Sequence, residues 1–524
     1  MDMTGSDPNA AHGGRLLLLT PPLAQTNTPY PATMHLSGYL KSLGCDVHQR
    51  DLSIKVVRDV LLEYGDETTE ELIEFLGGGA PAEAKVEASR IIDELAISIR
   101  DEIDPGFGFS RYAERLGAGA EDFGAVEREV RRRGVIDGPL EKHLKDAIAE
   151  TSPAVIGVTC PFPGMLVAAF KIARYVRRRH PSIRLVIGGG FVSTELRQMN
   201  DRRALKYFDD FIFDEGYAPM AALMGIENAA VPPFVAPDYE GIDWDEYFDV
   251  VETDNPMHQL WSTGKWRKLV MARGCYWHKC AFCDVKLPYI GCFQMPDAKS
   301  VVDAMEKTGT LFHFVDEAMP PALVRGISEE IIRRKFRCRW WGNIRFDASY
   351  TPALAKLMAK AGCVAVTGGL ECADDRLLKL MNKGITLASA VKALKAFRSA
   401  GIMAHAYLMY AFPTETEDEA FGALDFVRRL FREDLIQSAF WHRFALTVHS
   451  PIAAEPERFG IVIEDEGPSL KRRVFRRNEL AYREDGAPDW DAIGEVLKLA
   501  MYNFVEGRGL SRGIKYWRGL CRRR

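Results

Sequence analysis

Leu269-Val-Met-Ala-Arg-Gly274-Cys275-Tyr-Trp-His-Lys-Cys280-Ala-Phe282-Cys283-Asp284 begins as a short apolar run and passes directly into a loop with three of the chain's ten cysteines. The run is of strand length, 269–274, and the glycine that closes it marks a turn. Thiols crowded this closely in so long a chain are better suited to a metal than to a disulfide framework. A cubane iron–sulfur cluster normally takes four thiolates, so a three-cysteine loop leaves one iron open to an exogenous ligand. Two bland alternatives stay open on spacing alone. Zinc could recruit His278 or Cys292 as a fourth ligand, and a fully ligated electron-transfer cluster could use Cys292.

Downstream, five further apolar runs of strand type occur at 312–316, 339–345, 363–370, 402–410 and 438–448, with helical patterns between them. Six βα repeats are too few for an eight-stranded barrel and predict a partial (β/α)6 TIM-type barrel over 255–450. Beyond Pro451 the rhythm is lost, and 451–524 is expected to be a helical extension with a basic tail. From Arg508 onward that tail has seven basic residues and no acidic one. It is read as a solvated end.

Upstream lies a second α/β pattern. Arg15-Leu-Leu-Leu-Leu-Thr20 before Pro21-Pro22, the run 46–50, Ala154-Val-Ile-Gly-Val-Thr159, 184–187 before Gly188-Gly189-Gly190, and 211–213 before Asp214-Glu215-Gly216 read as parallel strands. They predict a doubly wound, Rossmann-like domain over 15–240, interrupted by a helical insertion at about 54–150, after a disordered leader at 1–14. Ligands bind such sheets beyond the carboxyl ends of the strands, here at Thr20, Pro21 and Pro22, at Thr159, at Gly188 to Gly190, and at Glu215 and Gly216.

Composition narrows the function classes. Lys and Arg total 68 against 73 Asp and Glu, so nothing in the whole molecule favours nucleic acid as a partner. No run approaches the roughly 18 apolar residues of a membrane span, and the polar start has no signal core. A cytoplasmic protein is expected.

The cysteine loop and the segments behind it resemble the radical S-adenosylmethionine (radical SAM) superfamily, and within it the members with an N-terminal cobalamin-binding-like domain. The likeness runs from about 15 to 450. Phe312-His-Phe-Val-Asp316-Glu317 resembles the family's second strand and Trp340-Trp-Gly-Asn-Ile-Arg345 its third. Gly362-Cys-Val-Ala-Val-Thr-Gly368-Gly369-Leu-Glu371 resembles the fourth, and the segment from Ala400 to Ala411-Phe-Pro413-Thr-Glu415-Thr the fifth. Two departures stand out: the first two cysteines enclose four residues where the family has three, and Ala411 replaces the usual glycine.

The resemblance implies a [4Fe-4S] cluster on Cys275, Cys280 and Cys283, with S-adenosyl-L-methionine (SAM) held among Phe282, Asp316, Glu317, Arg345, Gly368, Gly369 and Glu371. It implies reductive cleavage of SAM to a 5'-deoxyadenosyl radical, an external one-electron reductant of flavodoxin or ferredoxin type, and a small-molecule or peptide substrate. It further implies cobalamin at the N-terminal strand ends, with C-methylation or rearrangement as the chemistry. The Asp-x-His-x-x-Gly pattern of an axial histidine is missing, because Asp46-Val-His48-Gln-Arg-Asp51 reads as the second strand. A radical SAM enzyme with a cobalamin-free N-terminal domain and a non-catalytic zinc or iron–sulfur protein stay open as alternatives. His405 and His449 are expected to pack the barrel, His442 and Arg443 are candidates for substrate contact, and Cys372 is singled out for its place beside Glu371.

Overall fold

Five parallel strands form the first sheet of the computed structural model, which describes residues 14–109, 123–464, 475 and 478–521. They are β1 (Leu16–Thr20), β2 (Val47–Asp51), β3 (Val155–Thr159), β4 (Arg184–Gly188) and β5 (Asp210–Phe211), in the order β2-β1-β3-β4-β5. β1 and β3 are buried on both faces, which is why they read as unbroken apolar runs. Of the leader expected at 1–14, residues 1–13 lie outside the described residues. β5 is shorter than the 211–213 run suggested. Ile212 N–H still bonds to Ile187 O at 2.8 Å, but Asp214 then takes a φ of +59° and turns the chain away.

The helical insertion runs from Leu52–Tyr64 to Asp137–Thr151. Asp51 caps its first helix by accepting the Ser53 N–H at 2.9 Å, as expected of a short acidic side chain at that position. Its apolar stripes, with Val56, Val60, Ile92 and Val126, form one core with Leu17, Leu19 and Ile156 of the sheet. Phe475 enters the same core beside Phe123 and Phe170.

The second sheet has six parallel strands in sequential order: β6 (Arg267–Leu269), β7 (Leu311–Phe314), β8 (Arg339–Ile344), β9 (Cys363–Glu371), β10 (Met403–Tyr410) and β11 (Ser438–Arg443). Helices between successive strands give the partial barrel. Two strands differ from their expected spans. Beyond the end of β6 at Leu269, the Met271 and Ala272 N–H groups go to the Asp316 carboxylate at 3.0 and 2.8 Å and not to a neighbouring strand. β11 stops at Arg443, level with its register partner Tyr410 at the end of β10, and Val448 N–H instead bonds to Asn478 O at 2.8 Å. The extension after Pro451 is not helical throughout. An antiparallel pair, β12 (Ile461–Ile463) with β13 (Tyr482–Glu484), precedes helices Trp490–Val505 and Ile514–Cys521.

The chain folds as two compact units, Met1–Val250 with Ser469–Arg477 and Val251–Pro468 with Asn478–Arg524. Among the described residues no helix is long and apolar enough to cross a membrane.

Candidate active site

The loop after β6 is built on a glycine. Gly274 has a φ of +72°, and a Cβ there would lie 2.4 Å from the Cys292 carbonyl oxygen, so no larger residue fits. Cys275 N–H bonds to Ile290 O at 3.0 Å, and Arg273 pairs antiparallel with Gln294. Farther on, Ala281 N–H bonds to Met381 O at 2.8 Å, and Ala281 O accepts from Ile452 N–H at 3.1 Å. The three cysteines are therefore held on a pinned loop at the carboxyl end of the barrel, where such folds carry their ligands.

The extra residue between Cys275 and Cys280 has a structural consequence. His278, at a φ of +36°, makes the tight turn, and its Nδ1 lies 2.9 Å from Cys275 O. Trp277 reaches outward from that turn: its Nε1 donates to Asn382 O at 2.8 Å and its ring lies under the Arg345 guanidinium, 4.1 Å from Cζ. Gly384, with a φ of +72°, leaves space for that indole, since a Cβ there would lie 2.1 Å from Trp277 Cζ2.

Cys280 and Cys283 hydrogen-bond to each other. That bond holds Cys280 down to about 7 against the opposing effect of burial, with Lys383 assisting, and it pushes Cys283 well above the usual thiol range. Cys275 is half-buried and Cys292 exposed. Among the described residues no three His, Cys, Asp or Glu side chains gather closely enough to hold a single metal ion.

Behind the loop lies a buried ion pair that the sequence did not disclose. Lys383 Nζ sits 2.5 Å from Glu371 Oε1 and 5.5 Å from the centre of the Phe282 ring. Burial by itself would lower the Lys383 ammonium, but Glu371 and the Cys280 and Cys283 thiols hold it raised. Glu371 ends β9 at a φ of +54°, a conformation that side chains other than glycine adopt at a cost. Gly369 leaves room for the pair: a Cβ there would lie 1.9 Å from Glu371 Oε1. Gly368, one residue earlier, faces the Phe346 ring.

The other sequence-derived candidates divide into two groups. Arg345 joins the Cys loop, stacked on Trp277 and donating from Nη2 to Lys383 O. The carboxylate of Asp316, 2% exposed, is occupied with Met271 and Ala272 N–H, and Glu317 beside it is exposed. Cys372 lies 3.6 Å from Glu415 Oε2 in the core. Lys383 was missed because its role depends on contacts across the barrel mouth, and Trp277, read from the sequence as packing the loop, stacks on Arg345. The only local signal was the Asn382-Lys-Gly384 turn after a helix.

In the first unit, β1 and β3 run side by side where the strand order reverses, and their carboxyl ends carry Thr20 and Thr159. Both hydroxyl oxygens are buried with no hydrogen-bond partner. Gly189, with a φ of +114°, lies against Cys160, where a Cβ would approach the backbone carbon to 2.7 Å. Asp214 pairs with Arg197, and Gly216 precedes helix Tyr217–Leu223. Pro21 and Pro22, directly after β1, are buried.

A radical SAM superfamily profile matches residues 269–427. An uncharacterized methyltransferase of Pyrococcus horikoshii is 23% identical over 345 residues, covering 58% of this chain and 72% of the relative. The structure of TsrM, a radical SAM methyltransferase from Kitasatospora setae with tryptophan and aza-SAM bound, superposes with a TM-score of 0.57 at 16% identity, covering 97% of each chain. That of OxsB, a cobalamin-dependent SAM radical enzyme with aqua-cobalamin bound, gives 0.53 at 12% identity over 93% of this chain and 66% of that one. Both structures share the fold of this chain. With the profile spanning β6 to the helix after β10, and the three-cysteine loop inside that span, residues 269–427 form a radical SAM domain, and the protein is an enzyme.

Proposed function

We propose that the enzyme is cobalamin-dependent, holds a [4Fe-4S] cluster on Cys275, Cys280 and Cys283, and methylates carbon or rearranges a small molecule or peptide. The observation that carries this reading is the pinned three-cysteine loop backed by the buried Lys383. When bound, the cluster supplies the electron that cleaves SAM reductively, and cobalamin supplies a methyl-carrying metal.

The chain's own groups have defined tasks. The Lys383 ammonium offsets the negative charge that deprotonated Cys280 and Cys283 bring into a buried site. Glu371 neutralises Lys383 in turn and, with Gly368 and Gly369, forms the β9 edge proposed to hold SAM. Arg345 and Trp277 cover the loop. In the first unit, the unpartnered Thr20 and Thr159 hydroxyls and the cradle at Gly189 fit a polar cofactor at the strand reversal. TsrM and OxsB were solved with cobalamin bound, which supports that assignment. The electron comes from a flavodoxin- or ferredoxin-like donor.

The test is anaerobic reconstitution followed by an absorption spectrum and iron and cobalt analysis. A band from about four irons per chain, lost in Cys280→Ala and kept in Cys292→Ala, is expected, together with cobalt. Iron without cobalt overturns the cobalamin assignment, and zinc without iron overturns the whole reading.

A further inference from the structure

The turn after β10 is held by a contact from far down the chain. Ala411 has a φ of +62° and Thr414 a φ of +70°. Neither is glycine, so both occupy a left-handed region that side chains adopt at a cost, and such conformations persist only where the surroundings over-determine them. The restraints on this turn can be named one by one. Phe412 N–H donates to Glu415 Oε2 at 3.1 Å, Glu415 N–H to Phe412 O at 2.8 Å, and Thr416 N–H to Glu419 Oε2 at 2.9 Å. Pro413 has no N–H to place. Thr414 N–H donates to Glu484 Oε1 at 2.7 Å. Arg376 holds the other side of Thr414, donating to its carbonyl at 2.7 Å and to its hydroxyl at 3.1 Å.

Of these partners, Glu484 alone lies beyond residues 269–427, the span that the radical SAM profile matches. It belongs to β13, where it stands opposite Ile461 of β12. The antiparallel pair is seated on the turn. Ile461 shares one apolar cluster with Phe412, Phe444 and Phe459, and the Tyr482 ring meets Phe444 edge-on at 5.9 Å. Gly460, just before β12, faces the Thr414 methyl, and a Cβ there would lie 3.5 Å from it. Glu484 itself is half-buried, and burial raises its carboxyl above the ordinary range although the Thr414 N–H pulls the other way.

From the turn the contacts lead to the end of β9. The Cys372 thiol donates to the same Glu415 Oε2 at 3.6 Å, and neither side chain is more than 2% exposed. Cys372 follows Glu371 directly, and Glu371 is the register partner of Leu408 in β10. Glu371 and Ala373, with φ of +54° and +46°, are left-handed as well, so two strained turns lie side by side and share one buried carboxyl. We infer that Glu484 is a positioning residue for SAM. By holding the Thr414 N–H it fixes the turn 411–415, and Glu415 and Cys372 pass that restraint to Glu371. The inference rests on the proposed role of the Glu371 end of β9 in holding SAM. It gives the antiparallel pair after Pro451 a task in the site, that of a brace applied from outside the barrel.

The experiment is equilibrium dialysis of the anaerobically reconstituted protein against labelled SAM, with amide hydrogen exchange followed on the same variants. Glu484→Met keeps the length of the side chain and removes the acceptor. It is expected to weaken SAM binding about tenfold and to speed exchange across 412–416. Glu484→Gln retains an acceptor oxygen and is expected to stay within about twofold of the parent, a rescue that a merely space-filling role would not need. Thr414→Gly relieves the left-handed strain, so adding Glu484→Met to it is expected to cost about threefold or less. Unchanged SAM binding in Glu484→Met, an equal loss in Glu484→Gln, or an undiminished loss in the Thr414→Gly background overturns the inference. If Glu484→Met does not melt cooperatively, Glu484→Ala takes its place in both backgrounds and the same comparisons decide. Iron content and cluster absorbance on these samples separate the two failures. A parent that holds cluster and SAM, with Glu484→Met binding SAM equally well, overturns the brace alone. A parent that binds no SAM overturns the proposed reading and the inference with it.

Discussion

Lys383 Nζ lies 2.5 Å from Oε1 of Glu371, and each side chain is no more than 10% exposed. Removing one partner of a buried pair leaves an uncompensated charge, which typically costs about 3–5 kcal/mol. Glu371→Gln is therefore expected to lose about 3 kcal/mol in denaturant unfolding and to weaken SAM retention. The double variant Glu371→Gln with Lys383→Met is expected to recover part of the stability but not the SAM binding. Recovery of both would mean that the pair is structural only.

Gly369→Ala tests the space around the same pair. Its Cβ would fall 1.9 Å from Glu371 Oε1 and 2.8 Å from Lys383 Nζ, and burial leaves neither side chain an outward path. Overpacking of this kind costs roughly 1–3 kcal/mol. The expected result is a lower melting temperature with SAM retention reduced as in Glu371→Gln.

Asp316 gives the fold a pH dependence. Burial raises its carboxyl from 3.8 to about 7, although the Met271 and Ala272 N–H groups pull the other way. Between those values the folded chain keeps a proton that the unfolded chain releases. The stability that Asp316 contributes is thus fully present below pH 3.8 and is lost as pH rises through about 7. At about 1.4 kcal/mol per unit, the swing is at most about 4 kcal/mol. Asp316→Asn keeps the size but cannot titrate. It is expected to be less stable than the parent at pH 5 and to close or reverse the gap at pH 8, as read by urea unfolding. Parallel pH profiles for the two proteins would contradict this.

Gly189→Ala addresses the first unit. At a φ of +114°, and with Cys160 backbone at 2.7 Å from the added Cβ, both strain and contact oppose the substitution. A loss of about 2 kcal/mol or more is expected. Cobalt content should fall while iron content stays near the parent value, as measured by metal analysis after reconstitution.

Much of the site was legible because its signals are local. A run of cysteines, a glycine after a strand and acidic residues at strand ends are each visible within ten residues of chain. Ala411 shows how local conformation underlies such patterns: its φ of +62° is the left-handed region where the family's glycine would sit. Other parts were not legible. Asp316 appeared as a free acid at a strand end, but the fold uses it to cap the backbone leaving β6. The antiparallel pair β12–β13 was hidden because three-residue strands carry too little periodicity.

The order of strands and helices, the two parallel sheets and the three-cysteine loop follow from the amino-acid order alone, because period, breakers and ligand type are properties of neighbouring residues. Which side chains meet was set by folding. Folding brought Lys383 to Glu371 and the thiols, laid Trp277 under Arg345, and turned Trp261 edge-on to His405. These partners stand from 12 to 144 positions apart in the chain. They meet because parallel strands and their connections bring distant segments into register, which no local pattern encodes.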